Sequence, residues 1–257
     1  MQYPDSSKPP SRCPICEDVR QYVRWEGQAW TTLDDMRKTH AARLETDHGL
    51  LGIGAKPGFA IGQRALLVPA AEGNILWDCS ALIDDAIVDR IKAMGGLSAI
   101  AISHCHYYTT MVEWSDAFGG VPIYLHANNR KWVQRESKAI VYWSGEEFRI
   151  SPSAALHRVP GHFSGGALLH WTGGTNGAGA LFTGDVLQVT QDRKFVSFMY
   201  SYPNYIPVNA ATVRRIGEIV EPLAFDRIYG AFWHRVIADG AKDASRASVA
   251  RYLDAIT

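Results

Sequence analysis

Ile102-Ser103-His104-Cys105-His106-Tyr107-Tyr108-Thr109 sets two histidines on alternate positions directly after an apolar run. That run, Ser98 to Ser103 (Ser-Ala-Ile-Ala-Ile-Ser), is short, apolar and partly β-branched, which predicts a buried strand. On extended backbone, alternate side chains share one side. His104 and His106 can then meet on one ion, with Cys105 turned the other way as a small buried residue. Strand ends feeding loops are where a rigid frame presents functional side chains.

Two further strand ends carry the same residue types. Val159-Pro160-Gly161-His162 closes the strand predicted over Ala154 to Val159. Phe182-Thr183-Gly184-Asp185 closes the one over Ala180 to Phe182. Imidazole and carboxylate together suit zinc, iron or manganese.

These three stretches, in this order, resemble the metal-binding loops of the metallo-β-lactamase superfamily. Ser103 to Thr109 is similar to its His-x-His-x-Asp-His loop and Pro160 to Gly166 to its Gly-His-Thr-x-Gly loop. Leu181 to Val186 is similar to its strand ending in Gly-Asp, and Leu76-Trp77-Asp78 to its early strand ending in Asp. The resemblance runs from about residue 59 to 256. It implies a four-layer α/β/β/α sandwich with the site at one edge, between two sheets, and hydrolysis as the commonest activity. Residues 1–57 are expected to form an N-terminal extension packed on the main body, and residues 58–257 the metallo-β-lactamase-like domain.

The departures from that pattern carry information of their own. The resemblance implies that His104, His106 and His162 hold a first metal. The Asp and His that would hold a second are replaced by Tyr108 and Thr109, which implies an empty or weak second site. The family also places a last histidine just after the final strand. Here that strand ends at Tyr229-Gly230, and the nearest histidine, His234, comes later. The expectation is a metal-dependent hydrolase with one zinc ion, iron being the alternative. Its substrate would be a small ester, lactone, thioester or phosphoester. Asp185 would complete the site or take the water's proton, and Tyr108 would position the substrate. Two other readings stay open. His104, His162 and Asp185 also form the two-histidine, one-carboxylate set of mononuclear iron oxygenases, and persulfide dioxygenases share the implied fold. The changes at Tyr108 and Thr109 also suit a non-catalytic binding protein on a degenerate hydrolase frame.

Working outward, Phe59 to Pro69 and Ile75 to Trp77 read as a hairpin around Ala71 to Asn74. Ile83 to Met94 has helical spacing and stops at Gly95-Gly96. Further helices are predicted over 110–118, 209–220 and 241–256, and strands over 122–125, 167–171 and 226–229. Thr172 to Gly179 is Gly-rich but lacks the Lys and Ser/Thr of a phosphate loop, so a hairpin turn is expected. Residues 13–50 have no clean period and are expected to wrap the body as short helices. Phe195 to Tyr205 is aromatic-rich and would wall an apolar pocket or pack as a loop. His40, His48, His126, His157 and His170 read as surface or satisfied core residues. Cys13-Pro14-Ile15-Cys16 has zinc-knuckle spacing, but no second such pair exists to complete four ligands. Structural or idle thiols are the preferred reading, with no thioredoxin-like context around them.

A chain of 257 residues, 47% hydrophobic, can bury the core of one large α/β domain. The formal net charge of +0 argues against a nucleic-acid partner, which needs a positive field. The densest basic stretch, residues 128–135, reads as a solvated helix face. No apolar run is long enough for a bilayer, and neither a secretory nor a lipidation signal is expected. The expectations are a small-molecule substrate, no membrane partner and a cytoplasmic location.

Overall fold

A computed structural model describes residues 2–174 and 177–256. The chain begins as an irregular arm and reaches its first helix, α1, at Leu33–Thr39, with Thr32 capping its N-terminus. Seven strands then build the first sheet: β1 (Ala41–Asp47), β2 (Leu50–Lys56), β3 (Ala65–Ala70), β4 (Gly73–Trp77), β5 (Ala99–Ala101), β6 (Ile123–His126) and β7 (Ile140–Trp143). They lie side by side in chain order. β1 to β4 run antiparallel, and β4 to β7 run parallel. Parallel neighbours need a crossover. It is supplied by α2 (Asp85–Ala93) between β4 and β5 and by α3 (Met111–Ala117) between β5 and β6.

The second half holds β8 (Glu147–Ser151), β9 (Ala154–Arg158), β10 (Ala167–Trp171) and β11 (Ala180–Gly184). Two short hairpins follow: β12 (Gln188–Val189) with β13 (Val196–Ser197), and β14 (Met199–Ser201) with β15 (Ile206–Pro207). Then come α4 (Ala210–Val220), β16 (Arg227–Gly230), β17 (Val236–Ile237) and α5 (Ala241–Ile256). The second sheet has the order β17-β16-β11-β10-β9-β8. Thr172 to Gly179 joins β10 to β11, as expected of a turn, although its residues 175 and 176 lie outside the described residues.

Strand alternation builds the layers. Leu66 and Val68 of β3, with Ile75 and Trp77 of β4, face Leu169 of β10 and Phe182 of β11 in a core between the sheets. Their neighbours Leu67 and Leu76 turn outward, under Ile87 and Ile91 of α2 and Trp114 of α3. On the second sheet, Leu168 and Leu181 turn outward under Val213, Ile216 and Val220 of α4. Period-2 strands with both faces apolar need cover on both sides. The result is the expected α/β/β/α sandwich. Among the described residues, no helix is long and apolar enough to cross a membrane.

The N-terminal third differs from the sequence reading. Only α1 is an α-helix in residues 13–50, and residues 41–56 pair as the β1–β2 hairpin beside β3. These strands lie on the N-terminal side of the boundary expected at residues 57 and 58. Their two-residue turn is His48-Gly49, with φ of 50° and 93°. A hairpin turn of this kind needs two left-handed residues, and histidine is an uncommon choice for the first. The edge strand β1 alternates weakly, with Arg43 and Glu45 paired on its surface, as suits an edge exposed to solvent.

Candidate metal centre

The first two ligand candidates follow β5. His104 is extended (φ −167°, ψ 178°), whereas His106 lies in a 3-10 turn spanning Cys105–Tyr107. The pair does not converge by strand alternation as expected. The turn brings the rings together instead, with centroids 4.7 Å apart. His162, in the loop between β9 and β10, lies 4.9 Å from the His104 ring and 5.3 Å from the His106 ring. Asp185 follows β11, and its Oδ2 is 3.5 Å from His104 Nε2. One ligand atom from each of His104, His106, His162 and Asp185 lies within 4.8 Å of the others.

Gly184 makes that approach achievable. Its φ is +50°, and a Cβ there would stand 2.6 Å from the Ser103 hydroxyl oxygen. Glycine takes this conformation freely and leaves room for Ser103.

The hydrogen bonds around the rings define what the centre can accept. His162 Nδ1 is 2.9 Å from the Tyr200 carbonyl, which can only accept, so Nδ1 carries the proton. His104 Nδ1 is 2.9 Å from the Ser103 hydroxyl, and that hydroxyl donates to Asp78. Where Asp78 is ionised, His104 Nδ1 is therefore a donor too. The Nε2 atoms of His104, His106 and His162 are all buried without a hydrogen-bond partner. Unpartnered buried polar atoms are costly, and three sharing one point beside a carboxylate fit a cation.

Titration agrees with that donor set. Burial, reinforced by His104, lowers His162 to about 4. Burial with His104 and His162 drives His106 well below its ordinary value. Both are neutral imidazoles near pH 7, as metal ligation requires. Burial alone would raise Asp185, but His104, His162 and the Gln188 amide carry it below the ordinary carboxylate range. It is an anion at the centre. Burial raises Asp78 to about 8, against the two hydrogen bonds from Ser103.

A cavity of about 300 Å³ opens onto His106, His162 and Asp185. Part of its wall is Arg20, Gln21 and Tyr22, from the N-terminal arm. Arg20 forms a two-pronged pair with Asp18 at 2.6 and 2.7 Å and donates to the His162 carbonyl at 2.9 Å. Its guanidinium lies 3.9 Å from the Phe163 ring centroid. The Val19 carbonyl accepts from Ser201 at 2.5 Å and from Asn204 at 2.7 Å. Sequence reasoning expected an extension packed on the body but did not place Arg20, Gln21 and Tyr22 at the cavity, because their partners lie far along the chain. It also missed the part played by Ser103.

Other expected site residues lie elsewhere. Tyr108 is 2% exposed and packs in the core beneath α2 and α3, with its hydroxyl on the Asn129 amide. It does not line the cavity, so the expectation that it positions substrate is corrected. A large ring after the 3-10 turn is drawn into the apolar layer. His234 is 61% exposed at its side chain and sits 3.7 Å from Asp47, outside the cluster. The Phe195 to Tyr205 segment does both things expected of it. Phe198 packs under α5, while Tyr202 borders the cavity.

No family model matches the chain. It is 46% identical over 260 residues to the uncharacterized protein YmaE of Bacillus subtilis strain 168, covering 100% of this chain and 94% of that protein. Among solved structures, VMB-1 superposes with a TM-score of 0.61 at 14% identity, over 84% of this chain and 98% of the other. DIM-1 metallo-β-lactamase gives 0.58 at 13% identity, over 83% and 95%. Metallo-β-lactamase SMB-1 gives 0.50 at 18% identity, over 76% and 91%. At such identities the likeness is one of fold.

Proposed function

The chain belongs to one family with YmaE of Bacillus subtilis and has the metallo-β-lactamase fold, and from that premise we propose that it is a metal-dependent hydrolase working with a single ion. One observation carries this reading. Three buried imidazole Nε2 atoms, two of them with the opposite nitrogen protonated, face Asp185 at the end of a cavity.

His104, His106, His162 and Asp185 would hold the ion. When bound, zinc or iron there supplies Lewis acidity and lowers the pKa of a water toward neutrality. The chain's own residues do the rest. Asp185, already an anion, balances charge at the centre, and the Gln188 amide at 3.3 Å orients it. The Tyr200 carbonyl fixes the His162 ring. Tyr22, Ile61, Tyr202 and Phe232 give the cavity an apolar wall that excludes water from one side of a bound substrate. Its volume suits a small ester, lactone, thioester or phosphoester. A cavity of about 300 Å³ supports a small molecule as the substrate. His106 joins the other three ligands, which favours a hydrolytic donor set over the two-histidine, one-carboxylate set of iron oxygenases.

Elemental mass spectrometry on wild type and His104→Ala, with a hydrolysis screen on ester, lactone, thioester and phosphoester substrates, tests the proposal. One ion per chain and hydrolysis, both lost in His104→Ala, are expected. Metal and hydrolysis that both survive the substitution would overturn it.

A further inference from the structure

We propose that Cys13 and Cys16 form a reversible redox pair, a dithiol that small-molecule disulfides convert to an intramolecular disulfide, on the arm that walls the metal cavity. Cys13-Pro14-Ile15-Cys16 folds as a tight turn. The Glu17 N–H donates to the Cys13 carbonyl at 3.0 Å, and the Cys16 N–H donates to Cys13 Sγ at 3.4 Å. That second contact folds Cys16 back onto the Cys13 sulfur. Both are free. Cys13 is buried, and Cys16 is open to solvent in part.

The surroundings point to exchange chemistry. The Cys16 thiol, donating to Cys13, lowers Cys13 to about 5 against the effect of burial, with help from the Cys16 N–H and the Tyr3 hydroxyl. The Gln28 amide donates to Cys16 Sγ at 3.3 Å. Cys79 and Cys105 differ: burial raises both well above the ordinary thiol value. Exchange rates follow thiolate fraction and access. Zinc is the competing use of such a pair, and a closed site needs four ligands. Among the described residues, no third metal-type ligand clusters with these two.

The chemistry closes without further reactants. Access makes Cys16 the entry point: its thiol, held protonated by Cys13 and by burial, gives its proton to the departing RS⁻ as it exchanges with a disulfide RSSR, leaving Cys16–S–S–R and one RSH. Cys13 then attacks the Cys16 sulfur, the Cys13–Cys16 bond forms, and the second RSH leaves. Two protein thiols are oxidised and one disulfide is reduced. Two residues beyond the turn, Asp18 orients Arg20, which holds the His162 carbonyl. The turn therefore lies next to the residues that wall the metal cavity.

The test equilibrates full-length protein with mixtures of 2-mercaptoethanol and bis(2-hydroxyethyl) disulfide. Free thiols are then alkylated, and intact and peptide masses are read. The expected result is loss of two alkylatable thiols, with a linked Cys13–Cys16 peptide two hydrogens lighter, reversed by excess mercaptoethanol. Cys13→Ser should stop at the mixed disulfide on Cys16. The wild-type masses decide the matter if that variant fails to fold. Wild-type Cys13 and Cys16 that stay fully alkylatable in the most oxidising mixture would overturn the proposal. So would a mixed disulfide that accumulates unresolved, or a metal ion lost by Cys13→Ser but kept by His104→Ala.

Discussion

Asp78 Oδ1 accepts both the backbone N–H of Ser103, at 2.8 Å, and its hydroxyl, at 2.9 Å. With Asp78 ionised and the Ser103 hydrogen committed to it, the Ser103 oxygen accepts from His104 Nδ1, which leaves His104 Nε2 as a lone pair for a cation. A hydrogen-bonded support of this kind sets the tautomer of a metal-binding histidine and is worth about 10–100-fold in metal affinity. Ser103→Ala should therefore weaken metal binding by about that factor, measured by chelator competition, with the fold kept. Affinity equal to wild type would mean that the His104 tautomer is set by something other than Ser103.

Arg20 ties the N-terminal arm to the metal loop by two contacts, the His162 carbonyl and the Phe163 face, and Asp18 on the same arm holds it in place. At 11% side-chain exposure the pair is poorly screened. Removing it would leave Asp18 without its partner and the carbonyl without its donor. Arg20→Ala should cost about 2–3 kcal/mol in urea unfolding and raise KM more than it lowers kcat, because Gln21 and Tyr22 would lose their anchor. Arg20→Lys should rescue little, since lysine lacks the planar fork that meets Asp18 at two points. Full rescue by lysine would reduce the role of Arg20 to charge alone.

The metal-type cluster was legible because each of its residues lies within five residues of the end of a strand, so local sequence carries both the ligand and its frame. The layering was legible for the same reason: Leu66-Leu67-Val68 and Ile75-Leu76-Trp77 are apolar on both faces and announce cover on both. What escaped depends on distant partners or on turn chemistry. Arg20 and His162 are 142 residues apart, and no periodicity in residues 13–22 hints at their contact. β1 and β2 hinge on His48 in a left-handed conformation, which the sequence does not advertise as Asn-Gly would. The convergence of His104 and His106 was foreseen for the wrong reason, since a 3-10 turn rather than strand alternation brings it about.

Tyr108 stands where a second metal's ligand would be expected, yet it is core. Its hydroxyl meets the Asn129 amide, and Asn129 in turn exchanges two hydrogen bonds with Gly165, in the loop that carries His162. Tyr108→Phe should cost about 1 kcal/mol of stability and leave kcat unchanged. Tyr108→Ala should cost about 3–5 kcal/mol through the cavity it opens. Thermal unfolding and steady-state kinetics on both variants separate packing from chemistry. A collapse of kcat in a stable Tyr108→Phe protein would return the hydroxyl to the reaction.

The acid response of the ion-free protein gives a direct check on the buried centre. His162 has an ordinary value of 6.5 and is lowered by burial and His104 to about 4 in the folded chain. Between those values the unfolded chain binds a proton that the native chain refuses. The contribution to stability is therefore present above pH 6.5 and is lost as pH falls toward 4, by about 3 kcal/mol. Asp78, raised by burial from 3.8 to about 8, pulls in the opposite direction over an overlapping range, so the total curve does not isolate the histidine. The difference between wild type and His162→Gln does, because Asp78 is common to both. Urea unfolding of chelator-stripped protein should show the wild type losing about 3 kcal/mol relative to His162→Gln between pH 7 and pH 4. A difference that stays flat with pH would mean that the His162 ring is solvated and titrates normally. The three unpartnered Nε2 atoms would then no longer mark a dry site waiting for a cation.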